Sequence, residues 1–273
     1  MVSWDPTTYA QFTAERSRPF DDLLARVDVA APAAVVDLGC GDGALTATLA
    51  RRWPSAAVHG VDSSPQMLER AAEHAAAAEL AGRLTFAEGD LGDWKPDGRV
   101  DVLVTNAALQ WVPGHLELLP RWVDALAPGG VLALQVPGNF AAPSHALMRQ
   151  VAAEPRFVPH LDGVLRGVES VAQPATYAAL LAGLGCSVDA WETTYVQILD
   201  PAGEHGDDAV LAWVSGTGLR PVLDALDAEP VLRRDFLDSY AELLRRAYPR
   251  RSWGTPMPFR RVFCVAVRQG GAA

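Results

Sequence analysis

VVDLGCGDGA, residues 35–44, carries the clearest structural signal in this chain. A short apolar run ends at Asp37, and a turn with three glycines leads from it into a segment of helical character. A second apolar run, at 57–61, ends at Asp62. Glycines in such a turn let a ligand approach the backbone closely, and an acid at the end of the second strand can accept hydrogen bonds from both ribose hydroxyls. The stretch therefore predicts a binding site for an adenine nucleoside or dinucleotide.

Short apolar runs alternate with helical segments on both sides of this stretch. The runs, all rich in valine and leucine, lie at 34–38, 57–61, 84–87, 100–105 and 130–136. The helical segments lie near 44–53, 65–80 and 115–127. Ser64 and Pro65 are typical of a helix start, and Pro128-Gly129-Gly130 predicts a break between a helix and the fifth strand. Strands that alternate with helices form βαβ units, so we expect an α/β fold with a parallel sheet covered on both faces.

The pattern changes after Pro137. Residues 138–174 carry glycines and prolines and only one good helical stretch, at 144–153. The α/β pattern then resumes with a helix near 175–184, a strand near 187–199, helical sequence at 207–248 and a last strand at 259–268. We therefore predict one sheet whose C-terminal half carries an inserted cap, formed by 138–174 and 201–256.

Composition limits the classes of partner. The 273 residues are 49% apolar and 21% charged, which fits one well-packed α/β domain with insertions. The net charge of −10 and the absence of a basic tract argue against a nucleic-acid partner. An acidic protein can still hold an anionic small molecule in a locally basic pocket.

The three cysteines, Cys40, Cys186 and Cys264, lie far apart and have no metal-ligand spacing. They predict reduced thiols, with neither a disulfide framework nor a zinc site. The N-terminal residues lack the pattern of a signal peptide, and no uncharged apolar run approaches membrane-spanning length. We expect a cytoplasmic protein without membrane partners, and the oligomeric state stays open, a monomer included.

The spacing Gly39-x-Gly41-x-x-Ala44 also satisfies a loose dinucleotide pattern. An NAD-dependent oxidoreductase and a non-catalytic nucleoside-binding protein are therefore alternatives at this point. Asp37 argues against NAD, because an acid before the glycines repels a pyrophosphate and can accept hydrogen bonds from an ammonium group. Asp90 follows the third run, where it can accept from an adenine amino group, and Asn106 follows the fourth.

Together, residues 34–136 resemble the class I S-adenosylmethionine-dependent methyltransferases. The resemblance implies a Rossmann-like fold with a mostly parallel seven-stranded sheet, an antiparallel last strand and a helical cap insertion. It implies S-adenosyl-L-methionine as the cofactor, with S-adenosyl-L-homocysteine as the product. The residues that it assigns to this cofactor are Asp37, Gly39, Gly41, Gly43, Asp62, Asp90, Leu91 and Asn106.

The resemblance also implies a role for each of these positions. The three glycines let the backbone approach the methionyl part, and Asp37 helps to hold that part. Asp62 takes the ribose hydroxyls, Asp90 with Leu91 holds adenine, and the Asn106 backbone faces the sulfonium. The alternatives are ordinary structural roles, such as a surface turn for Asp62 and a helix cap for Asp90.

The flanking segments extend the resemblance over nearly the whole chain. In order, the segments at 4–19, 139–145, 193–195, 213–221 and 258–263 resemble the family of trans-aconitate 2-methyltransferases. The chain departs from that family mainly in a longer connection at 201–208. The resemblance implies monomethyl esterification of trans-aconitate, a planar tricarboxylate. A methyltransferase of the same fold that acts on another small molecule is the alternative.

Within this interpretation, residues 1–33 form an N-terminal lid and helix over the active site. Residues 34–137 form the S-adenosylmethionine-binding core, and 138–273 form the C-terminal half of the sheet with the substrate-binding cap.

A tricarboxylate needs donors that stay charged, and guanidinium matches carboxylate with two parallel hydrogen bonds. The candidate arginines are Arg16, Arg18, Arg220 and Arg260. In an extended segment, Arg16 and Arg18 would share a face. Arg260 and Arg261 would face opposite sides of a strand, so we expect only one of them in the pocket, and Arg260 is the candidate chosen. Neutral donors and a flat wall are expected from His145, Tyr195 and Trp213. Pairing with Glu15 is the alternative for Arg16, and a helix start is the alternative for His145.

The expected chemistry needs no catalytic base. A carboxyl group in water has a pKa of about 4.3, so it is already ionised at neutral pH. The protein's task is then to align the two reactants and exclude water, and no catalytic residue or metal is predicted.

Overall fold

A computed structural model of the chain describes residues 13–77, 80 and 82–270, apart from the side chains of residues 13–16 and 77. Seven strands form one sheet in the order β3-β2-β1-β4-β5-β7-β6. The strands are β1 (Ala34–Leu38), β2 (Ala57–Asp62), β3 (Leu84–Glu88), β4 (Val100–Asn106), β5 (Leu126–Pro137), β6 (Cys186–Leu199) and β7 (Thr255–Arg268).

The first five strands pair in parallel, and β7 pairs antiparallel with β5. This confirms the predicted mostly parallel seven-stranded sheet with an antiparallel last strand. The chain adds β2 and β3 on one side of β1 and then crosses to add β4 on the other side. The order of strands therefore reverses at β1, and in open α/β sheets such a reversal opens a ligand crevice at the carboxyl ends of the strands.

Short helices occupy the connections. They are α1 (Thr13–Leu24), α2 (Ala44–Arg52), α3 (Pro65–Ala77), α4 (Leu119–Ala125), α5 (Pro143–Ala152), α6 (Val158–Leu161), α7 (Pro174–Gly183), α8 (Ala209–Ser215), α9 (Arg220–Ala225) and α10 (Pro230–Ala247). Single 3₁₀ turns lie at Leu109–Trp111, His115–Leu118, Val168–Ser170 and Gly206–Asp208. The predicted start of α3 is confirmed, because the Met67 amide donates to Ser64 Oγ at 3.4 Å and Pro65 is the first helical residue.

The strands at the centre of the sheet are buried on both faces. In β1 and β4, Leu38, Val102, Leu103 and Val104 are all fully buried. A fully buried valine or leucine side chain contributes about 1.5–3 kcal/mol relative to an exposed one. Continuous apolar runs of this kind are typical of parallel strands covered by helices on both sides.

Three sequence predictions need correction. Strand β5 begins at Leu126, so the predicted break at Pro128-Gly129-Gly130 lies inside the strand, where its pairing with β4 shifts register. The glycine at position 130 permits this register shift because a side chain there would clash: an added Cβ would lie 2.9 Å from the Val100 carbonyl oxygen. The helical region predicted at 207–248 is divided into three helices, and α9 and α10 each begin with a proline in the first turn.

The third correction concerns the N-terminal arginines. An extended segment would place Arg16 and Arg18 on one face, but both belong to helix α1, which contains Pro19. Positions two apart on a helix face different directions, so the positions of Arg16 and Arg18 do not share a face.

The chain divides into two compact units. The sheet unit comprises Arg16–Pro137, Val171–Thr193 and Arg261–Ala273, of which 78, 79, 81 and 271–273 lie outside the described residues. The described part of the helical unit comprises 13–15, Gly138–Ser170 and Thr194–Arg260. Among the described residues, no helix has both the length and the apolar character needed to cross a membrane.

The helical unit has an apolar core of its own. The rings of Phe157 and Phe236 pack edge to face, with centroids 5.2 Å apart. The buried hydroxyls of Tyr240, on α10, and Tyr248, just after α10, fix the start of α5. The Tyr240 hydroxyl donates to the Ser144 carbonyl at 2.8 Å, and the Ser144 amide donates to the Tyr248 hydroxyl at 3.1 Å. Buried polar groups satisfied in this way orient α5 against α10.

The glycine turn, residues 39–43, connects β1 to α2. Gly39, Gly41 and Gly43 all have positive φ, at 78°, 57° and 73°. A Cβ added to Gly43 would lie 2.7 Å from both the Ala71 Cβ and the Phe86 ring, whereas a Cβ added to Gly41 would meet nothing within 4 Å. Gly43 is therefore required for packing, and Gly41 borders open space.

We expect Gly43→Ala to be clearly more destabilising than Gly41→Ala. Both changes place a side chain at positive φ, which costs about 1–2 kcal/mol. Only Gly43→Ala adds the penalty for overpacking, about 1–3 kcal/mol more. Urea denaturation of the two variants beside the wild type measures the difference. Equal losses in the two variants would show that the turn is not packed against Ala71 and Phe86.

Candidate functional site

The glycine turn is held against the end of β2 by backbone hydrogen bonds. The amides of Gly39 and Cys40 both donate to the Val61 carbonyl, at 2.8 and 3.1 Å. The Gly41 amide donates to Asp62 Oδ2 at 2.9 Å. The turn therefore lies at the carboxyl edge of the sheet, at the strand where the order reverses.

Asp62 is oriented by two backbone amides. Its Oδ2 accepts from Gly41, and its Oδ1 accepts from the Ser64 amide at 2.9 Å. Each carboxylate oxygen can accept more than one hydrogen bond. Asp62 is therefore fixed in position and keeps the capacity to accept from ligand hydroxyls.

Asp37 is the buried acid of the site, with 3% of its surface exposed. Burial raises its pKa to about 7, and the charge of Asp62 acts in the same direction. The Thr46 hydroxyl, on α2, opposes this shift by donating to Asp37 Oδ2 at 2.7 Å. A cation beside Asp37 would favour its ionised form and would in turn be bound by it. Sequence reasoning missed Thr46, although its place two residues into the helix after the glycine turn was a usable signal.

The ends of β3 and β4 supply the other predicted residues of this site. Asp90 is exposed, and its Oδ1 accepts from the Gly92 amide at 2.6 Å in a turn after β3. Leu91 is buried. Asn106 ends β4, and its buried Oδ1 has no hydrogen-bond partner among the residues that the structure describes. The following residue, Ala107, has φ of 54°.

Gly39 brings these segments close together. A Cβ added to Gly39 would lie 2.3 Å from the Ala108 Cβ and 3.8 Å from Leu91 Cδ2. The ends of β1, β3 and β4 therefore meet at the glycine turn, which is the grouping that the sequence predicted. An open space beside Gly41, a buried carboxylate at Asp37 and an unsatisfied acceptor on Asn106 fit a nucleoside that carries a positive charge.

Cys40 and His115, both of the sheet unit, have structural surroundings. Cys40 is buried in the glycine turn, and burial raises the pKa of its thiol. His115 bonds the Tyr177 hydroxyl at 2.7 Å, and burial lowers the pKa of its imidazole. Among the described residues, no group of histidine, cysteine and acidic side chains could hold a metal ion.

The predicted substrate residues of the helical unit include two buried aromatic side chains. Trp213 lies in the apolar core, with its ring 5.9 Å from that of Phe259, and Tyr195 is also buried. Arg220, by contrast, begins α9 and pairs with Asp224 at 2.9 Å, with 33% of its side chain exposed. The guanidinium of Arg220 is therefore more accessible to a ligand than either ring.

His145 lines a small cavity of the helical unit with Arg149 and Arg166. Burial lowers the pKa of His145 to about 4, and the two guanidinium groups act in the same direction. Gly218 allows the ring to sit there, since an added Cβ would lie 3.1 Å from His145 Nε2. Sequence reasoning did not select Arg149 or Arg166, since each stands alone among residues of mixed polarity.

The remaining arginines differ in their surroundings. The side chain of Arg16 lies outside the described part of the structure, and Arg18 is exposed on α1. The amide of Arg260 donates to Asn139 Oδ1 at 2.7 Å, and its Nη1 donates to the Gly138 carbonyl at 3.4 Å. Its neighbour Arg261 is more deeply buried and donates to Gln135.

Comparisons with known proteins agree with this geometry. A family described as "Methyltransferase domain" matches residues 35–130, which include the glycine turn, Asp62, Asp90 and Asn106. A solved geranyl diphosphate C-methyltransferase of Streptomyces coelicolor, in complex with S-adenosyl-L-homocysteine, is similar in fold. Its TM-score is 0.54 at 16% identity, over 96% of this chain and 82% of that one.

Two curated relatives are similar along nearly their whole length. A trans-aconitate 2-methyltransferase of Streptomyces coelicolor is 54% identical over 272 residues, 99% of this chain and 88% of the relative. The protein of the same name from Streptomyces avermitilis is 50% identical over 269 residues, 98% of this chain and 97% of the relative. The chain therefore belongs to the family of trans-aconitate 2-methyltransferases.

Proposed function

We propose that this protein transfers the methyl group of S-adenosyl-L-methionine to one carboxylate of trans-aconitate. The products are the monomethyl ester and S-adenosyl-L-homocysteine. The observation that carries the proposal is the nearly full-length similarity to relatives of this name, combined with a glycine turn whose acids suit a cationic nucleoside. The proposed partner is a small polycarboxylate and not nucleic acid, in line with the net charge of −10. A cytoplasmic location stays a prediction.

The sheet unit supplies the residues proposed to hold the methyl donor. The backbone of the glycine turn borders the methionyl part, and Asp37 attracts its ammonium group. Asp62 accepts the ribose hydroxyls, for which its bonds to Gly41 and Ser64 orient it. Asp90 and Leu91 border adenine, one with a carboxylate in a fixed turn and the other with an apolar side chain. The buried Oδ1 of Asn106 would accept a hydrogen bond from the bound S-adenosyl-L-methionine.

The bound donor supplies a methyl group that its cationic sulfur already activates. A carboxylate oxygen forms the new bond to carbon, the carbon–sulfur bond breaks, and its electron pair stays on sulfur. No proton moves, because the carboxylate is ionised at neutral pH. The protein therefore contributes alignment and the exclusion of water. In well-oriented reactions, such alignment lowers the activation barrier by about 7–11 kcal/mol.

The residues proposed to recognise the acid are Arg16, Arg18, His145, Tyr195, Trp213, Arg220 and Arg260. Arg220 is the most testable of them. Its pairing with Asp224 within one helix is worth only about 0.3–0.5 kcal/mol, and its side chain is 33% exposed. A charge-assisted hydrogen bond to a substrate carboxylate is worth about 1.5–3 kcal/mol. A substrate carboxylate can therefore replace Asp224 as the partner of Arg220.

The first test is the reaction itself. Purified protein with S-adenosyl-L-methionine should convert trans-aconitate into a monomethyl ester, detected by mass spectrometry and located on one carboxylate by NMR. A panel of cis-aconitate, isocitrate and citrate defines the range of acids. S-adenosyl-L-homocysteine should raise the melting temperature and NAD should not, because only a ligand of the folded state stabilises it. No ester from any of these acids would refute the proposed reaction.

Donor binding should depend on pH through Asp37. With a pKa of about 7, Asp37 is mostly protonated at pH 6 and mostly ionised at pH 8. Because the ammonium group of the ligand is attracted by the ionised form, affinity for S-adenosyl-L-homocysteine should be roughly tenfold weaker at pH 6 than at pH 8.

Asp37→Asn should abolish this dependence and weaken binding at pH 8, as measured by titration calorimetry. Asp42→Asn is the control, because Asp42 lies in the same turn and accepts from the Ala44 amide at 3.2 Å. It should retain the pH dependence. A pH dependence that survives in Asp37→Asn would assign the effect to another group.

Arg220→Ala should raise the KM for trans-aconitate by about 10–100-fold, the equivalent of one charge-assisted hydrogen bond. The KM for the donor should change less than twofold. Asp224→Ala is the matched control: it removes the same ion pair but leaves the guanidinium for the substrate, so it should not raise the KM for the acid. If both variants behave alike, the ion pair and not substrate binding explains the effect. Initial rates at varied concentrations of each substrate decide between the two results.

A further inference from the structure

One face of the sheet carries a polar group of three side chains, Asn106, Gln135 and Arg261, here called the polar cluster. Asn106 of β4 is opposite Gln135 of β5, and Arg261 of β7 is opposite Pro137 of β5. Residues opposite each other in a sheet share a face, and so do positions two apart on one strand. The three side chains of the cluster therefore project from the same face of the sheet unit.

Gln135 and Arg261 are almost fully buried, and Asn106 is half-buried with its Oδ1 covered. Arg261 is 6% exposed and Gln135 is 1% exposed, and Arg261 Nη1 donates to Gln135 Oε1 at 3.5 Å. Gln135 Nε2 and Asn106 Oδ1 have no hydrogen-bond partner within the described part of the chain. Each buried polar group without a partner costs about 1–3 kcal/mol. Most buried polar groups are satisfied, so Gln135 Nε2 points to a ligand that accepts a hydrogen bond, whereas Asn106 Oδ1 needs a hydrogen-bond donor, which the proposed function assigns to S-adenosyl-L-methionine.

The cluster lies beside the glycine turn within the same unit. Asn106 is the last residue of β4, the strand that pairs with β1, and Ala108 two residues later packs on Gly39. Strands β5 and β7 are the next two strands of the sheet. With strands about 4.8 Å apart, Gln135 lies on the order of 10 Å across the sheet from β1. This separation is suited to an acceptor molecule bound next to the methyl donor.

We propose that Gln135 and Arg261 bind a carboxylate of the acceptor acid beside the donor and determine specificity for a polycarboxylate. The Gln135 amide supplies a donor that has no partner among the described residues, and the Arg261 guanidinium supplies a fixed positive charge. This inference rests on the proposed function and adds two residues of the sheet unit to its site. It also places Arg261, and not only Arg260, in substrate recognition.

The carboxylate bound by the cluster is one that does not react. Methylation removes the negative charge of the reacting carboxylate, so a guanidinium on that group would stabilise the ground state more than the transition state. A carboxylate that keeps its charge throughout is held equally well at every stage. The cluster then acts as a clamp that aligns a second carboxylate with the methyl group.

Gln135→Glu is the variant that separates this role from a structural one. Glutamate has the same size and can pair with Arg261, so the fold and the melting temperature should be maintained or improved. The new carboxylate occupies the guanidinium and repels the substrate. The KM for trans-aconitate should therefore rise at least tenfold, while the Kd for S-adenosyl-L-homocysteine changes less than twofold. A higher melting temperature with an unchanged KM for the acid would overturn the proposal.

Arg261→Lys supplies a second and independent measurement. It keeps the charge but loses the planar pair of donors, so the KM for the acid should rise several-fold. Arg268→Lys is the control on the same strand, where Arg268 donates to the carbonyls of Asp124 and Leu126, and it should leave the KM unchanged. A weaker Kd for the donor with an unchanged KM for the acid would assign the cluster to donor binding and refute the inference.

Different results would refute the proposed function and the inference about the polar cluster. If the wild-type protein forms no ester from trans-aconitate, the proposed function and this inference both fall. If the wild type forms the ester and Gln135→Glu and Arg261→Lys retain its KM, only the inference falls.

Discussion

The hydrogen bond from the Gly41 amide to Asp62 is the constraint on which the site depends. It joins the turn after β1 to the end of β2, and the amides of Gly39 and Cys40 strengthen the connection through Val61. Asp62 also accepts a hydrogen bond from the Ser64 amide. The same carboxylate therefore fixes both the glycine turn and the segment that leads into α3. The protein's own hydrogen bonds therefore define the positions of the residues expected to hold the nucleoside, and such preorganisation lowers the entropy cost of binding.

The sheet unit was predictable from the sequence because its signals are local. Buried parallel strands appear as continuous apolar runs, and a glycine turn between two acids indicates where the carboxyl ends meet. The register shift in β5 was not predictable, since a proline and two glycines indicate a break and do not show that a strand can continue through it. The helix predicted within residues 1–33 is present as α1, but its start before Pro19 was not predictable, since a proline is typical of a first turn and α1 contains Pro19 in its interior.

The proposed substrate residues were harder to predict, because their partners are distant in sequence. Alternation on a strand shows that Arg260 and Arg261 face opposite sides, but it does not show which side is buried. The pairing of β7 with β5 shows that the side of Arg261 is the buried one, because it brings Arg261 to Gln135. Arg149 and Arg166 carried no pattern at all, and only the fold of the helical unit brings them to His145. Charge is thus divided within an acidic protein: carboxylates surround the glycine turn, and Arg149 and Arg166 lie together in the helical unit.

The burial of Cys40 has a chemical consequence for a protein of this family. A methyl donor bound at the glycine turn would be an alkylating agent a short distance from a sulfur atom. Thiolates are strong nucleophiles and thiols are weak ones, so the protonation state decides whether the turn would alkylate itself. Burial raises the pKa of Cys40, with further contributions from Asp37 and Asp62, and keeps the sulfur protonated. Burial, with a smaller contribution from the acids that suit a cationic ligand, would therefore protect the turn from irreversible self-inactivation.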